Sequence, residues 1–318
     1  MTEHPQNIVI LGGGTAGWIT ANTLLQRWSN KDISITVVES PAIGTVGVGE
    51  GSTPRMKLFF DSIGIEESEW MPRCNATYKN GITFANWSTQ PGFNRYFHPF
   101  ASQLDQHTIT AVYFNTDARR QGVDVHAHPD RFFLAASLSE NRLGPRPSEN
   151  FPFVVEYGYH FDANLVGEFL REKAVQRGAR HIAAKVVDVK LTDSGDIGSL
   201  VTETGETLSG DFFVDCSGFR GALIQDAMQV PFRSFAENLF NDAAVVLPTE
   251  PGEETGSQTV STALQYGWAW QIPLTQRIGN GYVYSSSFCS PDAAETELRS
   301  HLGLLESDVE ARHLRMKV

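Results

Sequence analysis

The feature that most constrains the fold is a glycine-rich turn between a short apolar strand and a helix near the N-terminus. Residues 7–11 read NIVIL, an apolar run with β-branched residues that predicts a buried parallel strand. Residues 12–17 (GGGTAG) follow, and residues 18–28 have helical composition. A second apolar run at 33–38 (ISITVV) predicts another strand. This order of strand, turn, helix and strand predicts a βαβ unit.

The glycines of this turn match the dinucleotide-binding pattern G-x-G-x-x-G. The first glycine makes the tight turn, the second admits backbone N–H groups to a pyrophosphate, and the third allows close packing of helix and strand. At the helix N-terminus we expect the phosphates to be bound by Gly12, Gly14, Thr15, Ala16 and Gly17. Glu39 ends the second predicted strand, where its carboxylate can accept hydrogen bonds from a ribose.

The turn alone does not separate FAD from NAD, but residues 211–218 favour FAD. A second glycine turn after a late buried strand closes many two-part FAD-binding folds over the adenine. Here the run DFFVD leads into such a turn, and we expect Asp215 and Gly218 to contact the cofactor, with an ordinary strand end as the alternative. The predicted fold is α/β, a two-part FAD-binding fold of the glutathione-reductase or hydroxybenzoate-hydroxylase type with an added β-sheet substrate region.

Composition and charge exclude several classes of function. Apolar residues make up 41% and charged residues 19%, as in globular proteins. No apolar run reaches the roughly 18 residues of a membrane helix, and the polar N-terminus lacks the features of a secretory signal. We therefore expect a cytoplasmic protein that does not bind membranes. A net charge of −12 also repels nucleic acid.

The cysteines and two of the histidines do not form a metal-binding pattern. Cys74, Cys216 and Cys289 are an odd number at wide spacing, which predicts buried free thiols and neither a disulfide framework nor a zinc site. His126 and His128 lack further ligands at suitable spacing and are interpreted as loop residues. No metal is expected.

The rest of the chain alternates between regular and irregular patterns. Residues 41–56 are rich in glycine, which permits close approach of the backbone to a ligand. The stretch 84–161 is aromatic and interrupted by Pro, Asn and Gly, and predicts irregular structure with short elements. An amphipathic helix is predicted from Asp162 to Arg177, ending at Gly178. Later patterns predict strands at 185–191, 199–203, 211–215 and 282–288, a loop at 248–259 and a helix at 291–305.

Six blocks distributed over the chain have a pattern in common with one enzyme family. They are Gly12–Trp18, Gly47–Pro54, Tyr78–Ile82 with Phe84 and Trp87, Tyr159–Ala163, Phe213–Gly221 and Gly267–Pro273. Together they resemble the flavin-dependent tryptophan halogenases, and the third block and the W-x-W-x-I-P motif of the sixth are the most specific. The resemblance implies an FAD-binding halogenase domain over residues 1–318, with a substrate-facing insertion at 84–160.

The resemblance also implies a chemistry. Reduced FAD, supplied by a separate flavin reductase, would react with oxygen and a halide ion to give hypohalous acid. That oxidant would pass through an internal tunnel to a lysine, here Lys79, which positions or covalently carries the halogen for attack by tryptophan or another indole-like arene. Val48, Gly49 and Glu50 would border the flavin. The oligomeric state stays open, with a homodimer among the alternatives.

The residues around Lys79 leave two interpretations open. Its sequence neighbours are aromatic or apolar: Tyr78, Ile82, Phe84 and Trp87. A lysine desolvated among them would lose proton affinity, and a neutral amine could accept a halogen, whereas an ammonium could only donate a hydrogen bond. The alternative, favoured by spacing alone, is a surface lysine at a turn before Gly81. The family resemblance favours the catalytic interpretation.

Two pairs of residues have predicted roles in separating and binding the reactants. Trp268 and Trp270 alternate, so they are expected to face one side of a strand, where core packing is one role. The resemblance adds that they wall the flavin off from the substrate. His98 and Phe100 resemble a segment in which aromatic groups sandwich an indole, and a loop position is the alternative for His98.

Several features of the family do not occur within these 318 residues. They are a G-x-x-P-L-E-S-T segment that contacts flavin and halide, the glutamate that partners the lysine, and much of the substrate-binding cap. We therefore expect a truncated portion of a longer protein that lacks its C-terminal cap. The competing interpretations are a flavin monooxygenase of the same fold and a catalytically incomplete FAD-binding homologue, inactive because the lysine lacks its partner.

Overall fold

The computed structural model describes residues 6–44, 47, 50–100 and 102–318. Within these ranges the strands, in chain order, are β1 (Asn7–Leu11), β2 (Ser34–Glu39), β3 (Glu50–Gly51), β4 (Thr77–Lys79), β5 (Gly81–Ala85), β6 (Arg95–Pro99), β7 (Gly158–Phe161), β8 (Arg180–Ala183), β9 (Val186–Leu191), β10 (Ile197–Thr202), β11 (Thr207–Ser209), β12 (Phe212–Asp215), β13 (Ala243–Thr249), β14 (Thr259–Ala263), β15 (Gly267–Pro273), β16 (Ile278–Tyr284) and β17 (Arg312–Arg315).

The helices of the same ranges connect and cover these strands. They are α1 (Thr15–Arg27), α2 (Arg55–Ser62), α3 (Glu67–Trp70), α4 (Asp105–Arg120), α5 (Leu134–Glu140), α6 (Ala163–Gln176) and α7 (Pro291–Leu302). Short 3₁₀ turns occur at Pro72–Cys74, Pro129–Arg131 and Gly218–Arg220, and a π-helical turn at Ala222–Ala227. None of these helices combines the length and apolar character that a membrane span requires.

A four-stranded parallel sheet forms one half of the fold, in the order β12-β1-β2-β8. Because the strands are parallel, the glycine turn after β1, Glu39 at the end of β2 and the turn after β12 lie at the same edge. Helices α1 and α6 pack together on this sheet, where the buried Asn22 donates from Nδ2 to the carbonyl oxygen of Leu170 over 2.9 Å. This edge is where a dinucleotide-binding fold places its ligand.

A seven-stranded mixed sheet forms the other half, in the order β17-β13-β16-β15-β14-β5-β6. Its neighbouring strands are antiparallel except for β14 and β5, which run parallel. The small sheet β3-β7-β4 and a second three-stranded sheet, β11-β10-β9, complete the described strands. Lys79 ends β4 and Gly81 begins β5, so the chain passes from the small sheet to the large one at Asn80. Asn80 is fully buried, and its Nδ2 donates to the carbonyl oxygen of Leu143 and to Ser257 Oγ.

The predicted βαβ unit and the amphipathic helix are confirmed. Helix α6 covers Ala163–Gln176, and the Asp162 carboxylate caps it by accepting from the backbone N–H groups of Asn164 and Leu165. Gly178 follows with a φ of +100°, a backbone conformation that favours glycine. The predicted strand at 282–288 instead covers Ile278–Tyr284. Glycines at 279 and 281 hid its start, because strand patterns rarely contain them.

The prediction of irregular structure over residues 84–161 is partly wrong, because it missed α4, a helix of 16 residues. The helix has no buried apolar stripe that a periodicity search could detect. Ile109, Tyr113 and Phe114 are all exposed, at 44%, 70% and 75% of their surface, and Asp105 is its buried residue.

Candidate active site

The glycine turn keeps its shape by excluding side chains. Gly12 has a φ of +111°, and its N–H donates to the carbonyl oxygen of Val38 in β2 over 2.9 Å. A Cβ atom on Gly12 would lie 2.1 Å from the carbonyl oxygen of Cys216, and one on Gly17 would lie 1.9 Å from the carbonyl oxygen of Gly12. Neither position can carry a side chain, so the turn fits the backbone cradle that a pyrophosphate needs.

The N-terminus of α1 faces this turn. Gly14 precedes the helix in an extended conformation, and no described side chain caps the first N–H groups of the helix. Thr15 uses its own hydroxyl elsewhere, donating to the carbonyl oxygen of Ala163 over 3.0 Å. The N–H groups of the first turn, which include Ala16, therefore point to solvent or ligand, as an anion-binding helix terminus requires.

Glu39 borders a cavity of about 320 Å³ at the same edge. Its Oε1 lies 2.8 Å from His181 Nε2 and 3.5 Å from Arg171 Nη1. A Cβ atom on Gly13 would lie 1.8 Å from Glu39 Oε2, so the carboxylate occupies the space that this glycine leaves. Gly13 was not in the predicted set, because the G-x-G-x-x-G pattern leaves that position open. The cavity has the size and carboxylate expected of a nucleoside pocket.

Three residues of the second block were predicted to border the flavin. Val48 and Gly49 lie outside the described residues. Glu50 is described, and its Oε2 accepts from the backbone N–H of Ala163 at the start of α6 over 2.9 Å. The structure thus brings Glu50 to the α6 end of the cofactor edge, and its contact with a flavin stays a prediction.

Asp215 binds its own loop. Its carboxylate accepts from the backbone N–H groups of Ser217, Leu223 and Ile224 and from the Ser217 hydroxyl, at 2.6 to 3.0 Å. Partial burial works to raise the pKa of Asp215, but these hydrogen bonds outweigh it and the pKa is lowered. Gly218, with a φ of +69°, completes the loop. A cofactor contact by either residue stays a prediction, and Asp215 shapes the turn through these bonds.

Lys79 is buried at the end of β4, with 5% of its surface exposed. Its Nζ lies 5.7 Å from the centre of the Phe100 ring. Burial lowers the pKa of the amine to about 8. About one amine in ten is then neutral at pH 7, against fewer than one in a thousand for an ordinary lysine. The alternative of a surface lysine at a turn is wrong.

Gly51, Thr259 and His160 lie around the Lys79 amine. A Cβ atom on Gly51 would lie 3.0 Å from Lys79 Nζ, 3.3 Å from Thr259 Oγ1 and 3.5 Å from His160 Cδ2. The glycine therefore lets β3 pack directly against the amine and its two polar neighbours. The sequence analysis assigned no role to these three residues: Gly51 and His160 lay inside family blocks, and Thr259 belonged to no motif.

His160 joins Thr77 and Thr259 by hydrogen bonds from its two ring nitrogens. Its Nδ1 is 3.0 Å from Thr77 Oγ1 and its Nε2 is 2.9 Å from Thr259 Oγ1. The Thr77 hydroxyl donates to the carbonyl oxygen of Pro273 over 2.7 Å. Burial, with the nearby charge of Lys79 as a second cause, lowers the pKa of His160 well below 6.5, so the ring is neutral.

The Glu67 carboxylate lies on the opposite face of β4. Glu67 accepts hydrogen bonds from the phenols of Tyr78, Tyr157 and Tyr159 at 2.9, 2.7 and 2.7 Å. Partial burial works to raise the pKa of Glu67, but the phenol hydrogen bonds outweigh it and the pKa is lowered. Tyr78 adjoins Lys79, so this cluster fixes the strand from the side that the amine does not face.

The remaining predicted residues are placed as follows. Phe100 lies beside Lys79, whereas His98 is exposed and packs edge-on against Phe84 with ring centres 6.4 Å apart. The rings of Trp268 and Trp270 have centres 6.2 Å apart, which confirms that they face one side of β15. A Cβ on Gly281 would fall 2.1 Å from Trp270 Cζ2, so this glycine makes room for the indole. Their role in separating flavin from substrate stays a prediction.

The cysteines and the loop histidines lie in surroundings that are typical of residues without a chemical role. Cys74 and Cys289 are buried free thiols as predicted, and Cys216 is half-buried. Burial raises the pKa of Cys74 to about 12, which keeps that thiol unreactive. His128 accepts from the backbone N–H of Asp130 within a loop. Among the described residues, no three His, Cys, Asp or Glu side chains are grouped to bind a metal.

Comparison with known proteins identifies relatives over the whole length of the chain. A family model described as tryptophan halogenase matches residues 7–318. A tryptophan 6-halogenase from Streptomyces toxytricini is 39% identical, with 100% of this chain and 64% of the relative aligned. A tryptophan 7-halogenase from Lentzea aerocolonigenes is 37% identical, over 93% of this chain and 59% of the relative.

Solved structures agree. The crystal structure of the Streptomyces toxytricini enzyme has a TM-score of 0.87, with 99% of this chain and 65% of that chain covered. A flavin-dependent halogenase from Xanthomonas campestris has a TM-score of 0.86 at 33% identity, covering 99% and 62%. The chain thus spans less than two thirds of the length of these relatives. The predicted α/β, two-part FAD-binding fold is confirmed.

Proposed function

Because the chain belongs to the tryptophan halogenase family, we propose that it is a flavin-dependent halogenase acting on tryptophan or another indole-like arene. The observation that carries this proposal is Lys79. It is buried beside an aromatic ring, at the junction of the small sheet and the large one, and its pKa is lowered to about 8. Desolvated amines with lowered pKa values are characteristic of catalytic lysines.

The cofactor edge suits FAD. The backbone around Gly12 and Gly17 and the N-terminus of α1 would hold the pyrophosphate, and Glu39 would bind the ribose. When bound, FAD that a separate flavin reductase has reduced would react with oxygen, and this reaction would supply the oxidising power that converts a halide ion to hypohalous acid. Val48, Gly49, Glu50, Asp215 and Gly218 are proposed to border the cofactor.

Lys79 would then act on hypohalous acid in either of its protonation states. The ammonium donates a hydrogen bond to the oxygen and polarises the O–X bond. The neutral amine forms an N–X bond as the O–X bond breaks, and a proton from its N–H joins the leaving hydroxide to give water. With a pKa of about 8, both states are populated near neutral pH. The aromatic surroundings suit a flat, electron-rich substrate.

The insertion at 84–160 is proposed to supply the substrate face. Phe100 lies beside the amine and would stack against the arene, and His98 is proposed to contact its other side. Trp268 and Trp270 are proposed to keep the arene away from the flavin, which would prevent direct oxygen transfer. Their support is their shared face on β15 and the dense packing of Trp270 over Gly281.

Product mass tests this proposal. The purified protein is incubated with FAD, a flavin reductase, NADH, oxygen and tryptophan, with chloride, with bromide or without halide. A halogenase gives a halide-dependent product with the isotope pattern of chlorine or bromine. A gain of one oxygen instead would identify a monooxygenase, and FAD binding without any product would identify an incomplete homologue.

A further inference from the structure

A chain of hydrogen bonds runs from the W-x-W-x-I-P segment to Thr259, which lies beside Gly51 on the same side as the Lys79 amine. It consists of the Pro273 carbonyl, Thr77, His160 and Thr259, and we name it the His160 chain. The three side chains are buried, with 8%, 0% and 8% of their surfaces exposed. They come from β4, β7 and β14 and meet where Gly51 lets Lys79 approach.

The direction of every hydrogen bond in the His160 chain follows from its first member. A carbonyl oxygen can only accept, so the single hydroxyl hydrogen of Thr77 points to Pro273. Thr77 Oγ1 must therefore accept from His160, which places the ring proton on Nδ1. Because the ring is neutral, Nε2 carries no proton and accepts from the Thr259 hydroxyl.

Thr259 can only accept a further hydrogen bond. Its only hydroxyl hydrogen is used by His160, so towards the lysine its oxygen can only accept. The Lys79 ammonium can only donate. Lys79 Nζ and Thr259 Oγ1 lie 3.0 and 3.3 Å from the position that a Cβ atom on Gly51 would take, so the two atoms are at most about 6 Å apart. One oxygen atom between them can reach both by hydrogen bonds.

We propose that Lys79 and Thr259 together bind the hydroxyl group of hypohalous acid, with Lys79 donating to its oxygen and Thr259 accepting its O–H. This assignment rests on the proposed function. A molecule that bonds both partners needs an acceptor and a donor on one atom, and HO–X has both. A halide ion offers no hydrogen to Thr259, so it can bond only Lys79, whereas HO–X can bond both residues.

The bound geometry also sets up the transfer. The arene carbon forms a bond to the halogen, and the O–X bond breaks with its electron pair on oxygen. A proton from the Lys79 ammonium converts the leaving hydroxide to water, and the proton lost by the ring restores the ammonium. Thr259 holds the oxygen throughout, which leaves the halogen directed away from the oxygen's two partners. Thr259 is thus a catalytic residue, and His160 and Thr77 are positioning residues.

Three threonine variants test the assignment. Thr259→Val keeps the shape and removes the acceptor, and Thr259→Ser restores the hydroxyl. Thr262→Val is the matched control, because Thr262 is equally buried in the same strand, on the opposite face. The measurement is the fraction of oxidising equivalents released as free hypohalous acid, trapped by monochlorodimedone, against the fraction found in halogenated tryptophan.

For Thr259→Val we expect about a tenfold fall in the ratio of halogenated tryptophan to trapped oxidant, the loss of one hydrogen bond to a reacting group. Thr259→Ser and Thr262→Val should keep the wild-type ratio. In the flavin-free protein, the pKa of Lys79, followed by NMR of lysine labelled with carbon-13 at Cε, should fall in Thr259→Val alone, because an acceptor beside the ammonium is lost.

A wild-type ratio in Thr259→Val overturns the assignment. Failure of the proposed function looks different, because the wild-type protein would then release no trapped hypohalous acid and give no halogenated tryptophan, while the pKa of Lys79 would still report on Thr259. If Lys79→Met is inactive and Thr259→Val is unchanged, the halogenase proposal stands and the role of Thr259 is wrong.

Discussion

The two ends of the candidate site are built on opposite principles. The cofactor edge is made of backbone: at Gly12, Gly13 and Gly17 any side chain would clash with a neighbouring atom. The lysine end is made of side chains, with Lys79 and Thr259 buried on the same side of Gly51. A site of the first kind is specified by which side chains are absent, and a site of the second kind by which distant side chains come together.

The difference predicts how each end fails when it is changed. A substitution in the glycine turn should disturb cofactor binding and folding together, because the same atoms serve both. A substitution of the buried amine should remove chemistry while the fold and the cofactor edge remain intact.

Removing the amine should have the largest consequence. Lys79→Met should lower the rate of tryptophan halogenation by about a thousandfold, a typical loss for a residue that acts on the reacting atoms. The affinity for FAD, measured by quenching of flavin fluorescence, should stay within about twofold of wild type. Lys57→Met, at an exposed pair with Asp61, is the control. A large loss of FAD affinity in Lys79→Met would break the proposed separation.

The opposite outcome is expected in the glycine turn. Gly12→Ala should weaken FAD binding by about a hundredfold and lower the melting temperature, because of the clash with Cys216 and the φ of +111°. Gly252→Ala is the matched control, since its new Cβ would meet an ordinary contact at 3.7 Å. Tight FAD binding by Gly12→Ala would show that the turn is not the cofactor cradle.

The buried charge also has a cost in stability that depends on pH. In the unfolded chain the amine has a pKa near 10.5, and in the fold it is about 8. Below pH 8 both states are protonated, and the folded state bears a penalty of about 3 kcal/mol. Lys79→Met should therefore raise the free energy of unfolding at pH 7 by up to that amount.

The gain should shrink as pH rises from 8 to 10.5, because the folded amine is deprotonated above pH 8 while the unfolded amine keeps its proton until about pH 10.5. Urea titrations of both proteins at pH 7 and pH 10.5 measure it. A gain that is the same at both pH values would mean that better packing by methionine, and not the buried charge, is its cause.

The smallest effect should come from Glu39. Glu39→Gln keeps the size of the side chain and removes the charge that a ribose would hydrogen-bond. We expect about a tenfold loss of FAD affinity, with kcat at saturating FAD unchanged. Glu168→Gln, in the same cavity wall, is the control. An unchanged affinity in Glu39→Gln would place the ribose elsewhere.

The same division explains what could be predicted from sequence. The glycine turn and Glu39 lie within about thirty residues, and their roles follow from local geometry, so spacing alone indicated them. The role of Lys79 came from a family resemblance, because its immediate sequence also fitted a surface turn. Its burial became clear only once β4 and β7 were paired.

Other residues of the site could not be identified from their neighbours in the sequence. Thr259 is brought to Lys79 by the parallel pairing of β14 with β5, a contact between residues far apart in the chain. Gly51 and Gly13 are glycines because of atoms contributed by other segments. Helix α4 was missed for a related reason: with no buried apolar stripe, its sequence lacks the period that marks a packed helix.

The Glu67 cluster has a consequence for how such a protein can change over evolution. Three phenols converge on one partly buried carboxylate, so losing any one of them leaves the others with an incompletely satisfied acceptor. The rear of β4 is therefore a poor place for variation. The insertion at 84–160 supplies Tyr157, Tyr159 and also Arg146, whose Nη1 donates to Glu67 Oε2 over 3.3 Å, so only its part before Arg146 is free of this cluster. New substrate preferences can then arise by substitutions in that part of the insertion, while Lys79 keeps its position.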